Sequence, residues 1–137
     1  MIGIVIASHS QLGEALIDCV EFILGERPEG VVSVSIDLRE NAAELRKKIE
    51  KGIKHVDKGK GVLILTDMFG GTPSNLSYSF LEEGQIEVLS GVNLPIVIKA
   101  LGMRAEKDLT ELSEFLLNFG KHSISLASGI LKGNKRS

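Results

Sequence analysis

The chain has 137 residues, 43% hydrophobic and 25% charged, with a net charge of −2 at neutral pH and one cysteine, Cys19. This describes a single soluble globular domain with a sizeable core, and the slightly acidic balance excludes a general nucleic-acid binder. A lone cysteine excludes an intramolecular disulfide and suits a reducing cytoplasm, no apolar run is long enough for a membrane span, and the N-terminus lacks a signal-peptide pattern. The domain is expected over residues 1–131, with 132–137 a polar, basic tail.

Ile2 to Ala7 is apolar and rich in β-branched residues, so a central strand begins almost at once and ends in Ser8-His9-Ser10. Leu12, Leu16, Cys19, Val20, Ile23 and Leu24 recur every three or four residues, an amphipathic helix stopped by Gly25. Cys19 reads here as a small buried hydrophobe. Val31 to Ile36 alternates with Ser33 and Ser35, a strand with one more polar face. Asn41 with Glu44 resembles a capping box, and Leu45, Ile49, Ile53 and Val56 mark the buried stripe of a second helix. Its Lys47, Lys48, Lys51 and Lys54 read as a solvated face.

Val62 to Leu65 is an unbroken apolar run between Gly61 and Asp67, as expected of a strand buried on both faces in a parallel sheet. Gly70 and Gly71 let the backbone approach a ligand, Thr72 is a candidate cap, and Pro73 suits the first position of a helix running to Glu83. Ile86 to Leu89 is the next strand, followed by a turn over Gly91 to Pro95 and a helix over Ile96 to Leu101. Asp108 caps a final helix carrying Leu109, Leu112, Phe115, Leu116 and Phe119, ending near Gly120. His122 to Ala127 alternates with period two and reads as a late strand. The alternation predicts an α/β fold: a three-layer, doubly wound, mostly parallel sheet with helices on both faces and an antiparallel edge strand near the C-terminus.

Of three histidines, only His9 ends a central strand; His55 closes a lysine-rich helix and His122 precedes the tail strand. A histidine beside a strand end is more often structural. His9 and Asp67, however, end strands expected to point to one edge of one sheet, where open α/β sheets bind ligands. An aspartate accepting from one imidazole nitrogen fixes the tautomer and frees the other nitrogen's lone pair. No serine or cysteine has the setting of a nucleophile, which leaves the histidine itself, beside an anion-cradling Gly-Gly-Thr-Pro turn. That combination suggests phosphoryl transfer through a phosphohistidine on His9 oriented by Asp67. The candidate phosphoryl-binding residues are Met68, Gly70, Gly71 and Thr72. The turn lacks the lysine of a Walker motif, no cluster has metal-ligand spacing, and no cofactor or metal is called for.

Ile-Val-Ile-Ala-Ser-His9, Thr-Asp67-Met-Phe-Gly-Gly-Thr-Pro-Ser-Asn75 and Ser-Gly-Val-Asn-Leu-Pro95 together resemble the mannose-family enzyme IIA domains of the bacterial phosphoenolpyruvate:sugar phosphotransferase system (PTS). The resemblance runs in order through essentially the whole chain. It implies a cytoplasmic homodimer in which an antiparallel edge strand is exchanged between subunits. It implies that HPr phosphorylates His9 at Nε2, that Asp67 holds Nδ1, and that Gly71 and Thr72 lie against the phosphoryl group. It further implies a separate IIB protein as acceptor, coupled to a membrane IIC/IID permease. A regulatory IIA-like protein is an alternative. The phosphotransfer subunit of dihydroxyacetone kinase, which also has Ser-His-Ser after its first strand, is another, although Met-Gly-Ser would be expected there in place of Met68-Phe-Gly-Gly-Thr-Pro73.

Overall fold

In the computed structural model, which describes residues 1–133, the chain runs β1 (Gly3–His9), α1 (Leu12–Leu24), β2 (Val31–Ile36), α2 (Ala42–Val56), β3 (Val62–Thr66), α3 (Thr72–Tyr78), β4 (Ile86–Ser90), α4 (Leu94–Met103), α5 (Leu109–His122) and α6 (Ala127–Leu131). The strands form one sheet in the order β2-β1-β3-β4, parallel at every pairing. Residues 134–137, most of the expected tail, lie outside the described residues.

Alternate side chains of the central strands go to opposite faces, as strand geometry demands. Ile4 and Ile6 of β1 with Leu63 and Leu65 of β3 pack against Ile17 and Val20 of α1, Val97 and Ala100 of α4, and Leu112 and Leu116 of α5. Val5, Ala7, Val62 and Ile64 form the second cluster with Leu45, Ile49, Ile53 and Val56 of α2. The four apolar residues that opened the β3 reading, and Val5 to Ala7, have no exposed surface at all. A strand covered on both sides needs no polar alternation, which is why these stretches are continuously apolar.

Several boundaries and faces differ from expectation. Cys19 is exposed, because α1 buries Gly13, Ile17 and Val20 instead of the stripe through Leu12 and Cys19. Gly13 favours that face: a side chain there would meet the Ile6 carbonyl at 3.1 Å, tight enough that the helix would have to back away by a few tenths of an ångström. Phe22 consequently points outward and is 90% exposed. Thr72 does not cap α3; Gly71 holds the cap position, Thr72 is the first helical residue and no side chain caps the end. The helix stops at Tyr78, well before Glu83, and the chain turns through Gly84, whose φ of 75° favours glycine, into β4.

The late strand does not form in the single chain. The α5 helix runs through Gly120 to His122, and 123–126 carries no regular structure before α6. Gly120 lies inside the helix and does not terminate it; a Cβ there would come 2.9 Å from Ile96 Cδ1, so it sits at the α4–α5 contact. Leu126 keeps an extended backbone (φ −102°, ψ 122°) without a strand to pair with.

Candidate active site

The order β2-β1-β3-β4 has its topological switch between β1 and β3, whose chains leave in opposite directions through α1 and α3. A crevice opens at the carboxyl ends of two such strands. His9 is the last residue of β1, and Asp67 immediately follows β3. Asp67 Oδ2 accepts the His9 backbone N–H at 2.9 Å and lies 2.7 Å from His9 Nδ1. A carboxylate at that distance assigns the proton to Nδ1 and leaves the Nε2 lone pair free. The His9 side chain is 37% exposed and that of Asp67 only 10%, so the ring has an open side while its anchor is enclosed.

Burial of the Asp67 carboxyl acts to raise its pKa, but the hydrogen bonds from the His9 backbone and ring outweigh it and hold the group below the ordinary aspartate range. The second oxygen, Oδ1, is buried and has no hydrogen-bond partner among the described residues. The carboxylate therefore keeps its negative charge aimed at the imidazole, ready to stabilise positive charge on the ring.

Gly71 closes the other side of the ring. A Cβ at this position would come within 2.8 Å of His9 Cε1 and 3.5 Å of Nε2, so the backbone of the loop lies directly against the free nitrogen. Gly70 has φ of 85°, which turns the chain into α3. The loop carbonyls are tied back to the helix: Ser74 Oγ and Asn75 N–H donate to the Gly71 carbonyl at 2.9 and 3.0 Å. Met68 touches the same position, 3.3 Å from the missing Cβ, and with Phe69 it is exposed at the rim. The structure thus brings together His9, Asp67, Met68 and Gly71, with Gly70 and Thr72 flanking Gly71 in the same loop, and leaves His55 on α2 and His122 at the end of α5 elsewhere.

Sequence reasoning missed the other wall. A cavity of about 360 Å³ beside His9 is lined by Ser10, Gln11 and the β2 exit through Asp37, Leu38 and Arg39. Arg39 forks onto Asp37, Nη2 to Oδ2 at 2.9 Å, and holds the Asp37 carboxyl down at about 2. The available signal was the sheet itself: β2 pairs parallel with β1, and Ile36 is in register with His9, so whatever follows β2 must emerge beside the histidine. Ser8 was also missed; its buried Oγ accepts the Gly13 N–H at 2.8 Å and fixes the turn from β1 into α1.

Comparison with known proteins gives a consistent result. The family model described as PTS system fructose IIA component, EIIA-man, matches residues 3–117. A PTS fructose-specific EIIA component of Bacillus subtilis (strain 168) is 32% identical over 129 residues, 93% of this chain and 88% of that protein. A PTS mannose-specific EIIAB component of Escherichia coli (strain K12) is 33% identical over 125 residues, covering 90% of this chain but only 38% of that longer protein. The crystal structure of phosphotransferase system component EIIA from Streptococcus agalactiae matches with a TM-score of 0.83 at 26% identity, over 93% of this chain and 98% of that one. On the family match and the similarity along the chain, this protein belongs to the EIIA-man family of PTS IIA components.

Proposed function

We propose that the protein is a phosphocarrier in which His9 accepts a phosphoryl group from phospho-HPr and passes it to a separate IIB component for sugar uptake. The observation that carries this reading is the pairing of His9 Nδ1 with Asp67 at 2.7 Å while Nε2 faces the Gly71 backbone. In the transfer, the Nε2 lone pair attacks phosphorus and forms the new N–P bond. The bond to the donor's ring nitrogen breaks, and its electron pair stays on the donor. The Nδ1 proton remains on His9, and the ring's positive charge is met by the Asp67 carboxylate. Met68, Gly70, Gly71 and Thr72 bound the space that the phosphoryl oxygens enter, with main-chain N–H groups as donors. Transfer to IIB repeats the step with His9 as the donor.

The site's shape suits protein partners better than a small substrate. The ring is accessible, and exposed Met68 and Phe69 (79% exposed) offer an apolar contact beside it. In this reading the protein works in the cytoplasm as a homodimer, with the segment after α5 serving as the exchanged antiparallel edge strand. Exposed Ile124 and Leu126 on that segment support it. The permease IIC/IID components lie downstream.

Incubation with phosphoenolpyruvate, enzyme I and HPr should add one phosphoryl group that is acid-labile and base-stable, and the label should move on to IIB. His9→Ala abolishes uptake, whereas His55→Ala and His122→Ala retain it. Label persisting in His9→Ala overturns the assignment.

A further inference from the structure

Among the described residues, the outer edge of β2 is unpaired. The Gly30 carbonyl accepts the Ile4 N–H at 3.0 Å and the Ile36 carbonyl accepts the Ser10 N–H at 3.5 Å, so even-numbered residues turn their main chain toward β1. Alternation then sends the N–H and C=O groups of Val31, Ser33 and Ser35 outward, where the sheet has no further strand. The serine side chains do not cover them. Ser33 Oγ donates to Glu14 at 2.5 Å and Ser35 Oγ donates to the Ser10 carbonyl, both on the α1 side.

On the other side α2 overhangs this edge. It comes close at Gly52, where a Cβ would lie 3.1 Å from a Val34 methyl. Lys48, Lys51 and His55, one helix face around Gly52, wall a groove of about 380 Å³ whose opposite side is residues 32–35. The helix is basic within an acidic chain: Arg46, Lys47, Lys48, Lys51 and Lys54 stand against Glu44 and Glu50. Lys48 pairs with Glu40, and Lys54 with Glu50 at 2.9 Å, which leaves Lys51 without an ion pair among the described residues. The lysines expected as a plain solvated face therefore divide, and two of them belong to a groove.

We propose that this groove is a strand-addition site for an extended acidic segment of a partner protein. The segment's main chain pairs with Val31, Ser33 and Ser35, and its carboxylates meet Lys48 and Lys51. A second copy of this chain fits poorly, since a twofold through the edge would bring the same lysines together. The chain's own C-terminal residues, which include Lys132, Lys135 and Arg136, are basic too. Lysines beside an edge discourage pairing with another basic strand, but not with an acidic one.

The test uses the full chain and a fluorescein-labelled hexapeptide alternating Glu and Val, followed by anisotropy, with an alternating Lys and Val peptide as its counterpart. The acidic peptide binds saturably and the basic one does not. Lys51→Glu weakens binding about five- to tenfold, the scale of reversing one rim charge. Ser33→Pro, which removes an outward N–H, abolishes binding, while Ser33→Ala binds like the parent chain. Should Ser33→Pro misfold, amide hydrogen exchange of the parent chain decides the same point: the Val31, Ser33 and Ser35 amides slow on binding. Absence of binding, equal binding of both peptides, indifference to Lys51→Glu, or unchanged exchange at those amides overturns the proposal. So does self-association of the chain through this edge.

Discussion

Asp67 makes two contacts with one oxygen: Oδ2 receives the His9 backbone N–H and its ring nitrogen, while Oδ1 is buried without a partner among the described residues. Its folded pKa lies below the unfolded one, so the stabilisation it provides is present above the ordinary value of about 3.9 and is lost as pH falls through the lowered folded value. Asp67→Asn cannot titrate and should flatten the acid limb of a urea-stability profile between about pH 5 and pH 2 relative to the parent chain. The limb will not vanish, because Asp37 also titrates in that region, held at about 2 by Arg39. The same variant should transfer phosphoryl groups about 10²- to 10⁴-fold more slowly in rapid-quench measurements, since an amide presents the wrong edge to Nδ1 and carries no charge. A folded Asp67→Asn protein with undiminished transfer would show that the pairing is dispensable. The partnership was legible in the sequence, because both residues follow apolar runs that suit neighbouring strands of one parallel sheet. The intimacy of Gly71 with the ring was not, because it depends on how the loop folds back and not on residue type alone.

Two helix starts were legible because their signals are local: Asn41 and Asp108 each accept a backbone N–H three residues on, and Asp108 with Glu111 completes a reciprocal capping box. Asn93 caps α4 in the same way, although the sequence puts a turn there and the helix only from Ile96. Asn93 does more than cap: its amide nitrogen donates to Ser123 Oγ at 3.0 Å, binding the start of α4 to the end of α5. Asn93→Ala should lower stability by about 1–2 kcal/mol with an unchanged m-value in urea, and Asn93→Ser should recover much of the loss. Equal stability of Asn93→Ala and the parent chain would remove the cap from the account. Helix faces were less legible. The α1 segment is apolar at Leu12, Ala15, Leu16, Ile17, Cys19, Val20, Phe22, Ile23 and Leu24, so periodicity alone could not choose which stripe meets the sheet. Gly13 favours one stripe, and its contact is tertiary. For the segment 123–126, alternation over so few residues established an extended backbone but no pairing partner.

For the molecule as a whole, the C-terminal region leaves Ile124, Leu126 and Leu131 largely exposed, and β4 ends the sheet on that side of the fold. Apolar surface of this kind on the stretch after α5 is what a symmetric partner would cover. Full-length protein should therefore scatter as a dimer, and removal of residues 121–137 should give monomer or aggregate with reduced stability. A monomeric parent chain, or a truncated dimer of equal stability, would refute the exchanged strand. The sheet's order has a further outcome during synthesis. Gly3 pairs with Val62 and Ile4 with Val31, so β1 leaves the ribosome before both of its neighbours and can close its two ladders only after β2 and then β3 have been made. Non-local pairing of this kind slows folding and leaves an apolar strand waiting for its neighbours, a stage at which chaperones compete with aggregation. His9 is translated well before Asp67, so the carboxylate that pairs with its ring reaches it only after β2, α2 and β3 have followed.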